Sequence, residues 1–385
     1  MRVLLDVSAV PARPVGAGVY TIAIARGVSA RANIDLHLLT RRGDTARWGD
    51  LAPSATVHAL APDRRPTRLA WEQAAGPRVA RRIRPDVWHA PHYTMPLCSD
   101  AATVVAMHDL TFFDHPEWHE RSKVIYFRKM IGAAARRADL IVTGSHDAAD
   151  GLQARFHPEG EIVVIHHGVD HERFVPATDD PRARANDWVA LARHGITAPY
   201  VAFASTIEPR KDVPTLVRAF ARVAATHPDL QLVVAGGDGW GIAEARAAIA
   251  ASGVATRILR PGYVDDAALA ALFRRAEVIA YPSLVEGFGM PALEALACGT
   301  PLVTTSGSAL EEVVGDAALL VPPADPDALA RALSTVLDDP AVASRLRAAG
   351  PARASTFTWE RSVDAHLDAY NRARHRGARR TPAAG

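Results

Sequence analysis

Short apolar runs alternate with longer amphipathic stretches along this chain, and the alternation is played through twice. Runs at 3–7, 35–39, 87–89, 103–107, 140–143 and 162–165 show almost no polar face. That pattern predicts strands buried on both sides, as in a parallel sheet covered by helices. Segments near 17–30, 67–84, 121–138 and 147–156 carry apolar residues at helical spacing and read as the connections. A polar, proline-marked stretch, Pro176-Ala-Thr-Asp-Asp-Pro-Arg, then reads as a linker. A second series follows, with runs at 200–204, 232–235, 257–259, 278–281, 302–304 and 319–321. At 385 residues the chain is too long for one core, so two β/α domains facing a cleft are expected. In such sheets ligands lie outside the carboxyl ends of the strands.

Composition excludes several classes. Lys and Arg number 44 against 42 Asp and Glu, a balance that does not suggest a nucleic-acid partner. Two cysteines, Cys98 and Cys298, form no disulfide framework, which fits a reducing compartment. The first residues read as a strand, because Asp6 interrupts the apolar run before a signal peptide could form. No run approaches the ~18 apolar residues of a membrane helix. A cytoplasmic protein is expected, or one peripheral on the cytoplasmic face of a membrane. For the second alternative, residues 64–84 hold seven arginines against the single acid Glu72, and 121–137 hold six basic residues and no acid. Those helices would offer a face to an anionic acceptor or membrane surface, or simply to water.

Residues 283–300 read Ser-Leu-Val-Glu-Gly-Phe-Gly-Met-Pro-Ala-Leu-Glu-Ala-Leu-Ala-Cys-Gly-Thr. Glu286 sits in a glycine-broken loop and Glu294 about one turn inside the helix that follows. Pro291 suits the helix start and Gly299 the position after its end. Gly287 and Gly289 let backbone approach a ligand, and the free amides at the helix start favour an anion. A nucleoside diphosphate fits that assembly. The same facts also allow Glu294 merely to complement the helix dipole. A glycosidase pair would need carboxyl groups ~5–5.5 Å or ~6.5–9.5 Å apart across a sugar. Spaced as they are here, the two glutamates more naturally grip two parts of one elongated ligand.

Glu286-Gly-Phe-Gly-Met-Pro-Ala-Leu-Glu294 resembles the E-x7-E motif of the retaining glycosyltransferases of family GT4. Gly16-Ala-Gly-Val-Tyr-Thr, His89-Ala-Pro-His-Tyr, His108-Asp-Leu-Thr, Glu208-Pro-Arg-Lys and Gly262-Tyr-Val fall, in order, where that family has its signatures. The resemblance implies the GT-B fold, two Rossmann-like domains facing a central cleft, with a C-terminal helix crossing back to the first. It divides the chain into an acceptor-side domain (1–175), a linker (176–198) and a nucleotide-sugar domain (199–356). A crossover helix (357–373) and a basic tail (374–385), expected to be disordered, complete it.

The resemblance also implies roles. Glu294 would hold the ribose hydroxyls and Glu286 the transferred sugar, with Gly287, Phe288, Gly289 and Met290 shaping the loop. Arg210 and Lys211 would neutralise the diphosphate leaving group. Many relatives carry an arginine directly after the glycine that ends this strand; here those positions are Ser205 and Thr206, so Arg210 is assigned the second charge and Thr206 a donor contact. Gly16 and Gly18 would approach the donor's distal phosphate, Val264 the nucleobase edge, and His108 the active centre. Donor specificity is expected to be GDP-mannose first, with UDP-hexoses next, and the acceptor a sugar or a lipid-linked sugar.

Competing chemistries are less well supplied. Nicotinamide binding is disfavoured because Thr21 stands where the dinucleotide fingerprint needs its third small residue. Asp325-Pro-Asp327 spells a metal-binding D-x-D, but its place before a helix makes Asp325 an N-cap, and no metal or other cofactor is expected. His89, His92, His166 and His167 crowd strand ends without a carboxylate or cysteine at ligand spacing. A nucleotide-sugar 2-epimerase of similar architecture and a catalytically silent carbohydrate- or nucleotide-binding protein are the two alternatives.

Overall fold

The computed structural model describes residues 1–197 and 199–380. The chain forms two compact units, Met1–Gly168 with the segment from Trp359 onward, and Val169–Thr358. In the first, strands β1 (Arg2–Asp6), β2 (Asp35–Arg41), β3 (Thr56–Ala61), β4 (Val87–Ala90), β5 (Ala102–Ala106), β6 (Leu140–Thr143) and β7 (Glu161–Val164) make one parallel sheet. Its order is β3-β2-β1-β4-β5-β6-β7. In the second, β8 (Tyr200–Ala204), β9 (Gln231–Ala235), β10 (Ile258–Gly262), β11 (Val278–Tyr281), β12 (Leu302–Thr305) and β13 (Leu319–Val321) pair in the order β10-β9-β8-β11-β12-β13, again parallel. Both orders reverse direction once, between β1 and β4 and between β8 and β11. Connections diverge on either side of such a switch point and leave a crevice at the strands' carboxyl ends.

The apolar runs explain the sheets: Val3, Leu4, Leu5, Val104, Val105, Leu140 and Ile141 are all buried, as are Val201, Phe203, Val233, Ile279 and Val303. β3 is a strand that the apolar pattern does not announce. Among the described residues it pairs only with β2, and its Thr-Val-His-Ala-Leu-Ala sequence is largely half-exposed, as an edge position allows.

Three expectations about organisation differ from what is found. The unit boundary falls at Gly168/Val169 rather than after 175. The stretch expected as linker contains a helix, Pro181–Ala192, capped by the Asp180 carboxylate, which accepts from the Arg182 N–H at 3.0 Å. Its Asp187 is buried and paired at 2.6 Å with both Arg274 and Arg275 of the helix Asp266–Arg275, so it belongs to the second unit. The prolines and aspartates that suggested a linker are therefore a helix start. Finally, the C-terminal helix runs Trp359–Arg380, so residues 374–380 are helical rather than disordered. Arg376 donates to the Glu159 carbonyl at 2.9 Å, tying that end down. Residues 381–385 of the expected tail lie outside the described residues. The helix buries Val363, Ala369, Tyr370 and Ala373 against the first unit, as the crossover topology of the fold requires.

Candidate active site

In the second unit the site is built where β8 and β11 end, at the switch point. Beyond β8 the chain turns through Pro209–Lys211 into Asp212, which adopts a left-handed φ of 46°. Asp212 caps the helix Val213–Val223 by accepting from the Thr215 N–H at 3.2 Å. That turn folds Arg210 and Lys211 back toward β11. Beyond β11, the Leu284 N–H donates to the Arg210 carbonyl at 2.8 Å and locks the two loops together.

Glu286 is where these loops converge. Its carboxylate accepts from Arg210 Nη1 at 2.7 Å, from the Tyr281 hydroxyl at 2.9 Å and from Lys211 Nζ. Lys211 also donates to the Tyr281 hydroxyl and stands 4.8 Å above that ring. Glu286 is 6% exposed and Lys211 3%, so this is a buried charge cluster and not a solvated loop. Burial pushes the Glu286 carboxyl up, but Arg210 and Lys211 outweigh it and hold the group at about 2. Burial pulls the Lys211 ammonium down, Arg210 adds to that, and Glu286 only partly compensates, leaving it at about 8. Tyr281 is a member the residue pattern did not reveal; at the end of an apolar run it read only as a strand residue.

Glu294 has different company. The helix Met290–Ala297 starts at Gly289, whose φ of 96° is left-handed. The left-handed φ favours glycine there, and a Cβ would in addition crowd the end of the Leu310 side chain, which would have to shift. Phe288 is buried, packed edge-on to Phe357, and Met290 is half-buried against the same core; both anchor the loop. Glu294, one turn in, is half-buried and makes no side-chain hydrogen bond among the described residues. Burial raises its carboxyl to about 8 against the pull of Arg173. A carboxyl that stays protonated at neutral pH can both donate to and accept from a vicinal diol. Glu294→Ala is expected to weaken binding of a free nucleoside diphosphate by about 1–3 kcal/mol, read by calorimetric titration. Unchanged affinity would remove Glu294 from the site.

Val264 is buried just past the end of β10, and Tyr263 beside it is exposed. Thr206 follows β8, where the Ile207 N–H donates to the Gly237 carbonyl at 3.0 Å and packs a second glycine loop against this one. Asp325 accepts from the N–H groups of Asp327 and Ala328 at 3.0 and 2.9 Å; it is a helix cap.

The remaining candidates lie in the first unit. His108 follows β5, and its Nε2–H donates to the Pro91 carbonyl at 2.9 Å, which makes Nδ1 the ring's acceptor. Burial lowers its basicity, and edge contacts with Tyr20 (5.2 Å) and Tyr93 (5.5 Å) fix the ring. His89 Nδ1 lies 2.7 Å from the Tyr370 hydroxyl, and His366 Nε2 2.7 Å from that of Tyr20, so His89 serves the joint between sheet and C-terminal helix. Gly16 is the N-cap of the helix Ala17–Ser29. Gly18 is buried beneath the preceding loop, where a Cβ would meet Pro14 at 3.2 Å; close packing accounts for this glycine.

Residues 14–173 match the family described as Glycosyltransferase Family 4, and residues 191–353 match Glycosyl transferases group 1. A D-inositol 3-phosphate glycosyltransferase of Salinispora tropica is 32% identical, across 93% of this chain and 81% of that one. The chain belongs to the retaining GT4 glycosyltransferases. An O-antigen chain mannosyltransferase B of Escherichia coli is 29% identical, covering 79% of this chain and 77% of its own. The GT-B fold is shared with Anabaena HepE, solved in complex with UDP-glucose, at a TM-score of 0.77 and 20% identity over 96% and 99% of the two chains. Among the described residues no helix is long and apolar enough to cross a membrane.

Proposed function

We propose that this enzyme transfers a hexose, mannose from GDP-mannose in the first instance, to an acceptor hydroxyl. The observation that carries the reading is the buried Arg210–Lys211–Glu286 cluster at the β8/β11 switch point. Two cations held at fixed positions can receive the negative charge that a departing diphosphate develops, without reorganising water. Glu286 keeps the two cations in place, and its carboxylate edge would meet hydroxyls of the transferred sugar. Glu294 would take the ribose diol, the Gly262-Tyr-Val segment the base, and His108, with Nδ1 as acceptor, a hydroxyl of the sugar. The loop of Gly287 and Gly289 would supply backbone amides, and Gly16 would do so from the first unit.

Mannose is supported by the name of the Escherichia coli relative, and glucose from UDP-glucose is favoured instead by the ligand of Anabaena HepE. Thermal unfolding with each donor separates them, since the tighter ligand raises the transition more by mass action. The basic helix Arg121–Arg137, with Ile125 exposed, supports peripheral contact with an anionic membrane surface as part of the same reading.

The decisive experiment is NMR of the product's anomeric proton, with and without chelator. Retention with an unchanged rate is expected, because the cluster supplies the charge that a divalent ion would otherwise supply. Abolition by chelator would refute the replacement of a metal by Arg210 and Lys211. Release of an epimerised free sugar would instead favour the epimerase.

A further inference from the structure

Four buried groups of the first unit, to which the proposed reaction gives no part, join in one hydrogen-bonded chain: Tyr20, His89, His366 and Tyr370. Tyr20 lies on the helix Ala17–Ser29, His89 on β4, and His366 and Tyr370 on the helix Trp359–Arg380. The direction of each bond can be read from one end. His366 Nδ1 faces the Ser362 carbonyl at 2.7 Å and must carry the proton, so its Nε2 is bare. The Tyr20 hydroxyl, 2.7 Å from that nitrogen, therefore donates to it. His89 Nε2 stands 3.5 Å from the Tyr20 oxygen as an N–H, which leaves Nδ1 to accept from the Tyr370 hydroxyl at 2.7 Å. Both imidazoles are neutral in this arrangement. Burial takes His89 well below its ordinary value, with His366 and His108 adding, and takes His366 to about 4 against the pull of the Ser362 carbonyl.

Docking of the C-terminal helix does not require such a chain. Val363 lies against Gly27, where a Cβ would crowd it, and Ala369, Tyr370 and Ala373 bury apolar surface on the same face. Buried hydrogen bonds add little net stability over apolar packing of the same shape, but they fix one orientation. What this chain fixes is the Tyr20 ring, which is fully buried and whose hydroxyl is tied at two points. That ring stands edge-on to His108, at 80° with centroids 5.2 Å apart. His108 is pinned through Nε2 on the Pro91 carbonyl, and one hydrogen bond leaves an imidazole free to tilt about it. The rings of Tyr20 and Tyr93 are the walls that limit the tilt, and the Tyr20 wall is held from the C-terminal helix.

We infer that Tyr20 is a positioning residue for His108, and that its hydroxyl, held by His366, carries the placement of the C-terminal helix to the active centre. The inference rests on the role proposed above for His108 toward the transferred sugar. The test follows hydrolysis of GDP-mannose and UDP-glucose by the full chain, together with the imidazole NMR resonances of His108. Tyr20→Phe keeps the ring and removes the hydroxyl. It should lower kcat by about tenfold and shift the His108 resonances, while affinity for free GDP stays within about twofold. His366→Leu should do the same, and His366→Gln, whose amide reaches the Nε2 position, should recover most of the loss. If Tyr20 acts through His108, Tyr20→Phe costs nothing further in the His108→Ala background. A further loss there would overturn the inference, as would unmoved His108 resonances in Tyr20→Phe. Equal losses in His366→Gln and His366→Leu, with a lowered thermal transition in both, would also overturn it by reducing His366 to a clamp on the helix. Undiminished turnover in His108→Ala would take down the reading of His108 and the inference with it. A damaged His108→Ala beside an undamaged Tyr20→Phe would overturn the inference alone.

Discussion

Glu286→Gln is expected to lower kcat by about two to three orders of magnitude while leaving affinity for the nucleoside diphosphate nearly intact. The amide keeps the shape of the side chain but cannot balance Arg210 and Lys211, which both donate to the carboxylate. Without that anchor the two cations still attract a bound diphosphate but are no longer held at fixed positions, and a transition state that relies on preorganised charge suffers most. The change has a second readout in stability. Because the folded-state value is depressed from 4.5 to about 2, Glu286 contributes stability that is present above 4.5 and lost as pH falls toward 2. At roughly 1.4 kcal/mol per unit, that contribution is about 3 kcal/mol. Urea unfolding between neutral and acid pH should therefore show a steep loss for the native protein and a shallower one for the variant. Full turnover in the variant would place the catalytic charge elsewhere.

Lys211→Met should be as damaging to turnover, by about two to three orders of magnitude, and should reshape the pH profile. In the proposed role the ammonium would have to be charged to receive the leaving diphosphate, and burial lowers its pKa in the free protein to about 8. Since kcat/KM reports groups of the free enzyme, its alkaline limb is expected near pH 8, well below an ordinary lysine. In Lys211→Met the residual activity should run flat through that region. A limb that persists in the variant would assign the titration to another group. Stability moves the opposite way to activity. Between about 8 and 10.5 the unfolded chain holds the proton that the folded chain has released, so Lys211 makes the fold more stable as pH rises there. Lys211→Met should also weaken diphosphate binding more than monophosphate binding, because the distal phosphate is its proposed partner.

Much of the architecture was legible because burial on both faces leaves its mark on a strand. Leu4, Val104, Phe203 and Ile279 sit in runs with no polar alternation, and each run became a strand. β3 escaped because an edge strand needs no such run. The helix Pro181–Ala192 escaped because its start is written in the same prolines and aspartates that mark linkers, and its tertiary anchor, Asp187 with Arg274 and Arg275, joins residues far apart in sequence. The C-terminal tail was misread for a related reason. Arg374, Arg376 and Gly377 show no apolar stripe, yet Arg376 meets the Glu159 carbonyl and Gly377 lies against Ala102.

The candidate site divides along the same line. The order of its motifs, the glycine at the start of the Glu294 helix and the capping role of Asp325 follow from local backbone chemistry, and the amino-acid sequence alone determined them. Whether Glu286 would stand alone as a loop carboxylate or join Lys211, Arg210 and Tyr281 could not be read locally. Lys211 and Glu286 are 75 positions apart, and only the adjacency of β8 and β11 in the sheet brings them together. Tertiary structure then decided their ionisation as well, because desolvation and the opposing charge exist only once both loops are closed over the same buried space.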